Sequence, residues 1–163
     1  MNPKAKIRKA HVNEVPEIYR LLVNFSKKAE GDILPRKMAD LYNHVRDFFV
    51  YRRDQGHIRG IAALRIFWED LGEICSLGVL PNLRRKGFGS LLVEKCLEEA
   101  RDLGLKSVFV LTSTQNASFF ERFGFKEVSK DDLPKIIWRE CGDCLKYPDC
   151  NEIPMLLDLE TLK

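Results

Sequence analysis

Three consecutive cationic residues beside two glycines form the stretch of this sequence best suited to chemistry. They lie in the segment RRKGFGS, residues 84–90, between a predicted strand and a predicted long helix. Glycine has no Cβ, so the backbone can approach a ligand closely there. The first turn of a helix leaves N–H groups without intrahelical partners, and these favour an anion. The segment therefore predicts a diphosphate site. The alternative is an ordinary helix start with solvated basic residues.

Length and composition limit the remaining possibilities. The 163 residues correspond to about one domain, and 45% hydrophobic residues suffice for an ordinary core. The net charge of +3 is too small to argue for nucleic acid as a partner. No apolar run approaches the roughly 20 residues of a membrane span, and the first residues lack the apolar core of a secretory signal. We expect one domain over residues 1–163, cytoplasmic, with neither membrane nor nucleic acid as partner.

Three of the five cysteines are clustered near the C-terminus. Cys141, Cys144 and Cys150 follow the spacing C-x2-C-x5-C in a predicted loop, residues 141–152, before the last strand. Three thiolates without an adjacent histidine are one ligand short of a closed zinc site, unless Glu152 or a partner chain completes it. A disulfide is a further alternative. Free thiols that shape a loop on the substrate side are the favoured interpretation, and no metal is expected.

Two helical patterns precede the first long strand. The spacing of apolar residues predicts a helix over residues 13–26, capped by Asn13 with Pro16 in its first turn and ended by residues 30–32. A second pattern runs from Met38 to Phe48 or Phe49.

Two arginines flank the second helical pattern. Arg36 and Arg46 are ten residues apart, a little under three turns, so they would lie on broadly the same side of a helix. Arginine binds a carboxylate through two parallel hydrogen bonds. The alternatives are therefore a fork for a substrate carboxylate or two solvated side chains.

Alternation and β-branched residues predict the strands. They cover residues 7–10, 48–53, 59–68, 73–79, 107–112, 126–128 and 155–159. Helices are predicted over residues 88–103 and 119–123, with one or two helical turns over 133–140. Phe88, Leu92, Cys96 and Ala100 lie on one stripe of the first of these helices. These elements predict an α+β fold with one mixed, mostly antiparallel central sheet and helices on both faces.

Two motifs together resemble the GNAT superfamily of N-acetyltransferases. Residues 79–93 follow V-x-P-x-x-R-R-x-G-x-G-x-x-L-V, which resembles that superfamily's acetyl-CoA motif. Residues 116–125, NASFFERFGF, resemble its second signature. The resemblance implies the same α+β fold, acetyl-CoA as co-substrate, direct transfer of the acetyl group to an amine in a ternary complex, and a homodimer, which is common in the superfamily.

The resemblance also implies roles for individual residues. Glu73 would be the base acting through water, unless it is a paired strand carboxylate, and the Val79 N–H would polarise the thioester carbonyl. Phe120 occupies the position where many members carry a tyrosine that acts as the general acid. A water or another donor must therefore protonate the leaving thiolate. The cofactor-binding candidates are Leu77, Gly78, Val79, Arg84, Arg85, Lys86, Gly87, Phe88, Gly89, Ser90, Asn116, Phe119, Phe120 and Arg122.

Further stretches are similar to one subfamily, the stand-alone amino-acid N-acetyltransferases that make N-acetylglutamate in the first step of arginine biosynthesis. They are residues 34–48, 67–74, 109–125 and 133–152. A glutamate site needs two cationic anchors, and the substrate-side candidates are Arg36, Arg46, Trp68 and Lys135. The alternatives are an acetyltransferase for another amine and an acetyl-CoA-binding sensor without catalysis.

Overall fold

The described residues of the protein form seven strands and four α-helices. The computed structural model of the protein describes residues 6–27, 33–144 and 146–161. In these ranges the elements are β1 (Ile7–Lys9), α1 (Val15–Ser26), α2 (Met38–Asn43), β2 (Phe48–Arg52), β3 (Ile58–Trp68), β4 (Leu71–Val79), α3 (Phe88–Asp102), β5 (Ser107–Ser113), α4 (Ala117–Glu121), β6 (Lys126–Glu127) and β7 (Glu152–Asp158).

The strands form a mostly antiparallel sheet in the order β1-β2-β3-β4-β5-β7-β6. The pairs β1/β2, β2/β3, β5/β7 and β6/β7 are antiparallel. β4 and β5 run parallel, with Leu71 opposite Ser107 and Glu73 opposite Phe109. A parallel pair needs a crossover connection, which α3 supplies. The predicted α+β class with a mixed, mostly antiparallel sheet is confirmed.

The chain divides into two compact units, and strands β3 and β4 contribute residues to both. The first unit comprises Met1–Arg65 and Ile74–Glu99, and the second comprises Ile66–Glu73 and Ala100–Lys163. The first unit has a buried cluster built from α1, α2, β2 and β3, in which Val15, Leu22 and Phe48 are fully buried. The second has a smaller cluster of Leu71, Phe109, Leu133 and Ile137.

The first helix begins differently from the sequence prediction. A short 3-10 turn, Val12–Glu14, precedes α1, so Asn13 lies inside this turn and does not cap the helix. The His11 N–H donates to Glu14 Oε2 at 2.8 Å, so the carboxylate satisfies a backbone donor at this start. The predicted cap was wrong because Glu14 is held at this place by Arg8, a long-range contact that local spacing does not reveal. The predicted end at residues 30–32 lies outside the described residues.

The second helical pattern is interrupted. α2 ends at Asn43, a 3-10 turn covers Val45–Asp47, and β2 begins at Phe48. Extending the helical pattern to Phe48 or Phe49 was therefore wrong, and the strand predicted to begin at Phe48 is confirmed. Phe48 and Phe49 are β2 residues that pair with Ala63 and Ala62 of β3, so tertiary pairing overrides the helical spacing.

The helix after the basic stretch follows its predicted stripe. Leu92, Cys96 and Ala100 of α3 are all fully buried. The chain leaves the helix through Gly104, which has a φ of +79° and donates its N–H to Arg101 O. That left-handed conformation suits a residue without a Cβ. Within the described ranges, no helix combines the length and apolar character that crossing a membrane requires.

Candidate functional site

The connection between β4 and α3 has the geometry of an anion site. A 3-10 turn, Pro81–Leu83, ends in a hydrogen bond from Arg84 N to Pro81 O of 3.3 Å. Arg85 then has a φ of +59° and Gly87 a φ of +85°. Two left-handed residues within three positions turn the chain sharply into α3. We refer to residues 84–87 as the basic turn.

The N-terminus of α3 opens at the basic turn. Leu91 N donates to Gly87 O at 3.1 Å, the hydrogen bond that begins the helix. The N–H groups of Phe88, Gly89 and Ser90 come before the first helical donor, so they point out of the helix end. A 15-residue helix also places partial positive charge there. The Phe88 ring packs at 4.5 Å from the Tyr51 ring, which fixes the first turn to β2.

The cations of the basic turn are exposed, and none of them pairs with a carboxylate of the described residues. Arg84, Arg85 and Lys86 are all exposed. Arg84 Nε donates to Val79 O at 3.3 Å, which ties its side chain to the end of β4. No carboxylate of the described residues lies within salt-bridge distance of any of the three. Exposed cations beside outward N–H groups can bind a phosphate or diphosphate.

The end of β4 is packed closely against α1. An added Cβ at Gly78 would meet the Phe25 ring at 2.5 and 2.6 Å and Ile33 Cδ1 at 2.9 Å. Glycine is therefore required by the packing at this position. Leu77 beside it is half-buried and Val79 is buried.

The two catalytic candidates lie on the same strand. Glu73 is buried, with 8% of its surface exposed, and stands opposite Phe109 of β5. Val79 is six residues further along β4. Between them Ser76 has a φ of +52°, which interrupts the regular alternation of side chains. Periodicity in the sequence did not reveal this interruption.

Arg36 and Arg46 do not share a helix. Arg36 precedes α2 and Arg46 lies in the 3-10 turn after it, so the helical spacing from which the fork was predicted does not exist. Arg36 Nε and Nη2 both contact Asp40 Oδ2 at 2.7 Å, and its guanidinium lies 5.5 Å from the centre of the Phe48 ring. Arg36 Nη1 is buried, and no described residue accepts a hydrogen bond from it. Arg46 is exposed, and its carbonyl accepts from Lys9.

The candidates of the second unit form an aromatic group around α4. Phe119 contacts the Phe120 ring at 5.0 Å and the Phe123 ring at 5.4 Å, and Arg122 lies 5.1 Å over Phe119. Phe120 is buried and also contacts Phe125, so it is a core aromatic. Asn116 is the residue that precedes α4. Two further candidates, Trp68 at the end of β3 and Lys135 in a 3-10 helix, are exposed.

The cysteines are free thiols. Cys141 and Cys144 are half-buried and Cys150 is exposed. Among the described residues, no three histidine, cysteine, aspartate or glutamate side chains are grouped closely enough to hold a metal ion.

Arg52 and Arg53 form a second pair of adjacent arginines, and the environment of Arg52 differs from that of the basic turn. Arg52 Nη2 contacts Glu14 Oε1 at 3.0 Å and Glu17 Oε2 at 2.7 Å. Glu14 also accepts two hydrogen bonds from Arg8, which hold the pKa of this carboxyl at about 2. We call Arg8, Glu14, Glu17 and Arg52 the ionic cluster. Sequence reasoning missed it, although acidic residues three apart at a helix start were a usable signal.

Comparisons with known proteins agree with this geometry. The model of the Acetyltransferase (GNAT) family matches residues 15–125. An uncharacterized N-acetyltransferase of Chlorobaculum tepidum is 39% identical over 153 residues, 94% of this chain and 96% of the relative. An amino-acid acetyltransferase of Mycobacterium tuberculosis is 36% identical over 86% of this chain and 78% of the relative.

A solved structure shows the same fold. N-acetylglutamate synthase from Neisseria gonorrhoeae, complexed with coenzyme A and N-acetyl-glutamate, superposes on 94% of this chain with a TM-score of 0.82 and 29% identity. This chain spans 34% of that longer protein. The resemblance that the two sequence motifs predicted is confirmed.

Proposed function

Because this chain belongs to the GNAT acetyltransferase family, we propose that it transfers the acetyl group of acetyl-CoA to the α-amine of L-glutamate. The product is N-acetylglutamate, and transfer occurs directly in a ternary complex. N-acetyltransferase activity is the family's chemistry, and acetyl-CoA is its acetyl donor. The acceptor is proposed because relatives covering most of this chain include an amino-acid acetyltransferase. The reaction would be the first step of arginine biosynthesis, in the cytoplasm, with the enzyme as a homodimer.

The basic turn is the proposed anchor for the diphosphate of acetyl-CoA. Its exposed cations and the outward N–H groups of residues 88–90 supply charge and hydrogen bonds to the same anion. The backbone of Leu77, Gly78 and Val79 would pair with the pantetheine arm as an added strand would. Asn116, Phe119, Phe120 and Arg122 are further proposed cofactor-binding residues.

The reaction needs help with proton transfer. The α-amine of free glutamate is almost fully protonated near neutral pH, so it must lose a proton before it can attack the thioester. Glu73 is the proposed base, acting through water, and the Val79 N–H is the proposed donor to the thioester oxygen. Phe120 has no hydroxyl group, so water protonates the leaving thiolate in this scheme.

The observation that carries the choice of acceptor is the environment of Arg36. Asp40 engages two of its nitrogens, while the buried Nη1 has no acceptor among the described residues. A buried N–H without an acceptor is costly, so a ligand carboxylate at this position would gain a charge-assisted hydrogen bond. Glutamate has two carboxylates: Arg36 and Arg46 are the candidates for one of them, and Lys135 or Arg122 is the candidate for the other. Trp68 is the proposed apolar wall of the acceptor site.

The first experiment measures CoA release by the purified protein with acetyl-CoA and a panel of amines. L-glutamate is compared with glutamine, aspartate, lysine and spermidine. Turnover selective for glutamate supports the proposal. Turnover with a cationic amine alone would contradict the acceptor and leave the family chemistry intact. Tight acetyl-CoA binding without turnover on any amine would favour a sensor.

Variants of Arg36 test the proposed anchor. Arg36→Lys keeps the positive charge and loses the guanidinium fork, so we expect the KM for glutamate to rise about 10- to 100-fold, with the KM for acetyl-CoA unchanged. Arg53→Lys is the matched control, because Arg53 is exposed and its nearest carboxylate, Asp54, is 3.9 Å away. Asp40→Asn breaks the same ion pair while keeping Arg36.

The comparison of these variants separates binding from stability. If Arg36 only stabilises the fold, Arg36→Lys and Asp40→Asn should lower the Tm together and leave the KM for glutamate near the wild-type value. That outcome would remove Arg36 from the acceptor site.

A further inference from the structure

The C-terminal cysteine loop has no part in the proposed acetyl transfer. The loop predicted to begin at Cys141 begins at Cys144, because the 3-10 helix Lys135–Asp143 extends through Cys141. This helix is held by Ile137 in the buried cluster of the second unit. Cys141 lies in the last turn of this helix and Cys144 is the residue immediately after it. The remaining thiols of the protein are placed differently: Cys96 is fully buried in α3, and Cys75 lies on β4.

The backbone brings Cys141 and Cys144 within reach of each other. Cys144 N donates to Cys141 O at 3.1 Å, so the two residues are the ends of one closed turn. In a 3-10 helix, residues three apart are separated by a rise of about 6 Å and their side chains eclipse. Cys144 has a φ of −77°, near the helical value, so its Cβ keeps the position that it would have in the helix. The chain leaves the helical path only after this residue.

This geometry matches the requirement of a disulfide. Bonded cysteines have Cα atoms about 4.4–6.8 Å apart, and the rise of one 3-10 turn falls in that range. Both thiols are half-buried, so a small reagent can reach them. A metal is the poorer interpretation, because no metal-binding group of three suitable side chains occurs in the part of the chain that the structure describes.

We propose that Cys141 and Cys144 are a redox modification site that forms an intramolecular disulfide by exchange with a low-molecular-weight disulfide. The Cys144 thiolate attacks one sulfur of the reagent, forms a mixed disulfide and releases one reagent thiol. The Cys141 thiolate then attacks Cys144 Sγ, forms the protein disulfide and releases the second reagent thiol. Two protein thiols are oxidised and one reagent disulfide is reduced to two thiols.

The environment of Cys141 supports this order of attack. Burial, and then the neighbouring Cys144 and Cys150 thiols, raise its pKa above the ordinary value, with Lys130 acting in the opposite direction and Glu152 in the same direction. A thiol with a raised pKa is a poor first nucleophile in water. It is better placed to resolve a mixed disulfide that already lies one turn away.

Mass spectrometry of the full-length protein tests the site. Trypsin cuts after Arg139 and Lys146, so one peptide, residues 140–146, contains both cysteines, and Cys150 falls in the next peptide. The reduced protein is incubated with oxidised glutathione, blocked with N-ethylmaleimide and digested. We expect peptide 140–146 to lose the mass of two hydrogens and to carry neither glutathione nor the blocking group.

Two cysteine-to-serine variants identify which cysteines form the disulfide. Cys150→Ser should leave this mass loss unchanged, and Cys144→Ser should abolish it. A cross-link between peptide 140–146 and the peptide with Cys150 would overturn the pairing. Glutathione adducts without any internal disulfide, or full blocking by N-ethylmaleimide after the oxidant, would overturn the site.

Discussion

The ionic cluster and the basic turn each contain two arginines of the first unit. They differ in whether carboxylates lie close to the guanidinium groups. In the ionic cluster Arg8 and Arg52 contact Glu14 and Glu17 at 2.7–3.0 Å. In the basic turn the cations are exposed and no described carboxylate reaches them. The first arrangement joins β1, β2 and the start of α1, and the second surrounds a helix N-terminus.

The difference shows that charge density in a sequence does not identify a binding site. Arg52-Arg53 and Arg84-Arg85 are equally basic in the sequence. Both arginines of the second pair keep their charges exposed, whereas Arg52 of the first pair is held by Glu14 and Glu17, more than thirty residues away in the sequence. We therefore expect variants of the ionic cluster to change stability and variants of the basic turn to change acetyl-CoA binding.

The largest expected effect is on stability. Glu14→Gln leaves Arg8 and Arg52 facing a neutral amide at a position that is only 6% exposed. Breaking a buried pair by removing one partner is costly, and partial exposure of Arg8 reduces the cost, so we expect a loss of about 2–4 kcal/mol in unfolding free energy. Urea unfolding measures it. The KM for acetyl-CoA should be unchanged.

A matched substitution on the surface controls for the change of charge. Glu127→Gln removes a carboxylate from the exposed strand β6 and should alter the unfolding free energy by less than about 0.5 kcal/mol. Equal effects of Glu14→Gln and Glu127→Gln would show that the ionic cluster contributes nothing specific to stability.

Acid should remove the same stabilisation without a mutation. The hydrogen bonds from Arg8 lower the pKa of Glu14 from 4.5 to about 2. A carboxyl with a depressed pKa stabilises the fold above its unfolded pKa, and this contribution is lost as pH falls through the folded pKa. The stability difference between wild type and Glu14→Gln should therefore be constant above about pH 5 and shrink between pH 4.5 and 2. A difference that does not shrink over this range would show that Glu14 is not the titrating group.

Most of the fold could be predicted from sequence, because the periodic patterns coincide with burial. The stripe predicted for α3 comprises Phe88, Leu92, Cys96 and Ala100, of which the last three are fully buried and Phe88 is half-buried. The segment before β2 could not be predicted, since Val45 and Phe48 keep helical spacing while Phe48 pairs with Ala63 across the sheet. That pairing is a contact between residues distant in sequence, and local patterns do not contain it.

The candidate site could be predicted where its functional residues are consecutive in the sequence. Basic residues followed by glycines indicated the turn and the helix start. The left-handed conformations of Ser76 and Arg85 were not predictable, because neither residue type favours a positive φ. The ion pair between Arg36 and Asp40 needed only a spacing of four residues, and it was missed because Arg36 was considered with Arg46 alone.

The second largest effect is expected in the basic turn. Replacing both Arg84 and Arg85 by glutamine removes two charges and leaves the exposed surface polar. Each hydrogen bond to a charged group contributes about 1.5–3 kcal/mol, with incomplete additivity, so the KM for acetyl-CoA should rise about 10- to 100-fold. CoA-release kinetics measure the change, and the Tm should stay within a few degrees of wild type.

The control for this pair is Arg101→Gln, which removes one exposed charge from the last turn of α3, about 20 Å along the helix from the basic turn. It should leave the KM for acetyl-CoA within about twofold, because exposed charges beyond a Debye length are largely screened. A double variant that binds acetyl-CoA as well as Arg101→Gln does would refute the assignment of the turn as the diphosphate anchor.

The smallest expected effect is at Arg85, where a glycine substitution separates the contribution of backbone strain to stability from the contribution of the positive charge to acetyl-CoA binding. Arg85 has a φ of +59°, which costs a non-glycine residue about 1–2 kcal/mol, whereas glycine adopts it freely and loses about 0.5–1 kcal/mol through its more flexible unfolded state. Arg85→Gly should therefore raise the unfolding free energy by about 0.5–1 kcal/mol while weakening acetyl-CoA binding. Arg84→Gly is the matched control: its φ of −63° is unstrained, so it should lose both stability and affinity. Equal losses of stability in the two glycine variants would show that the backbone at Arg85 is not strained in solution.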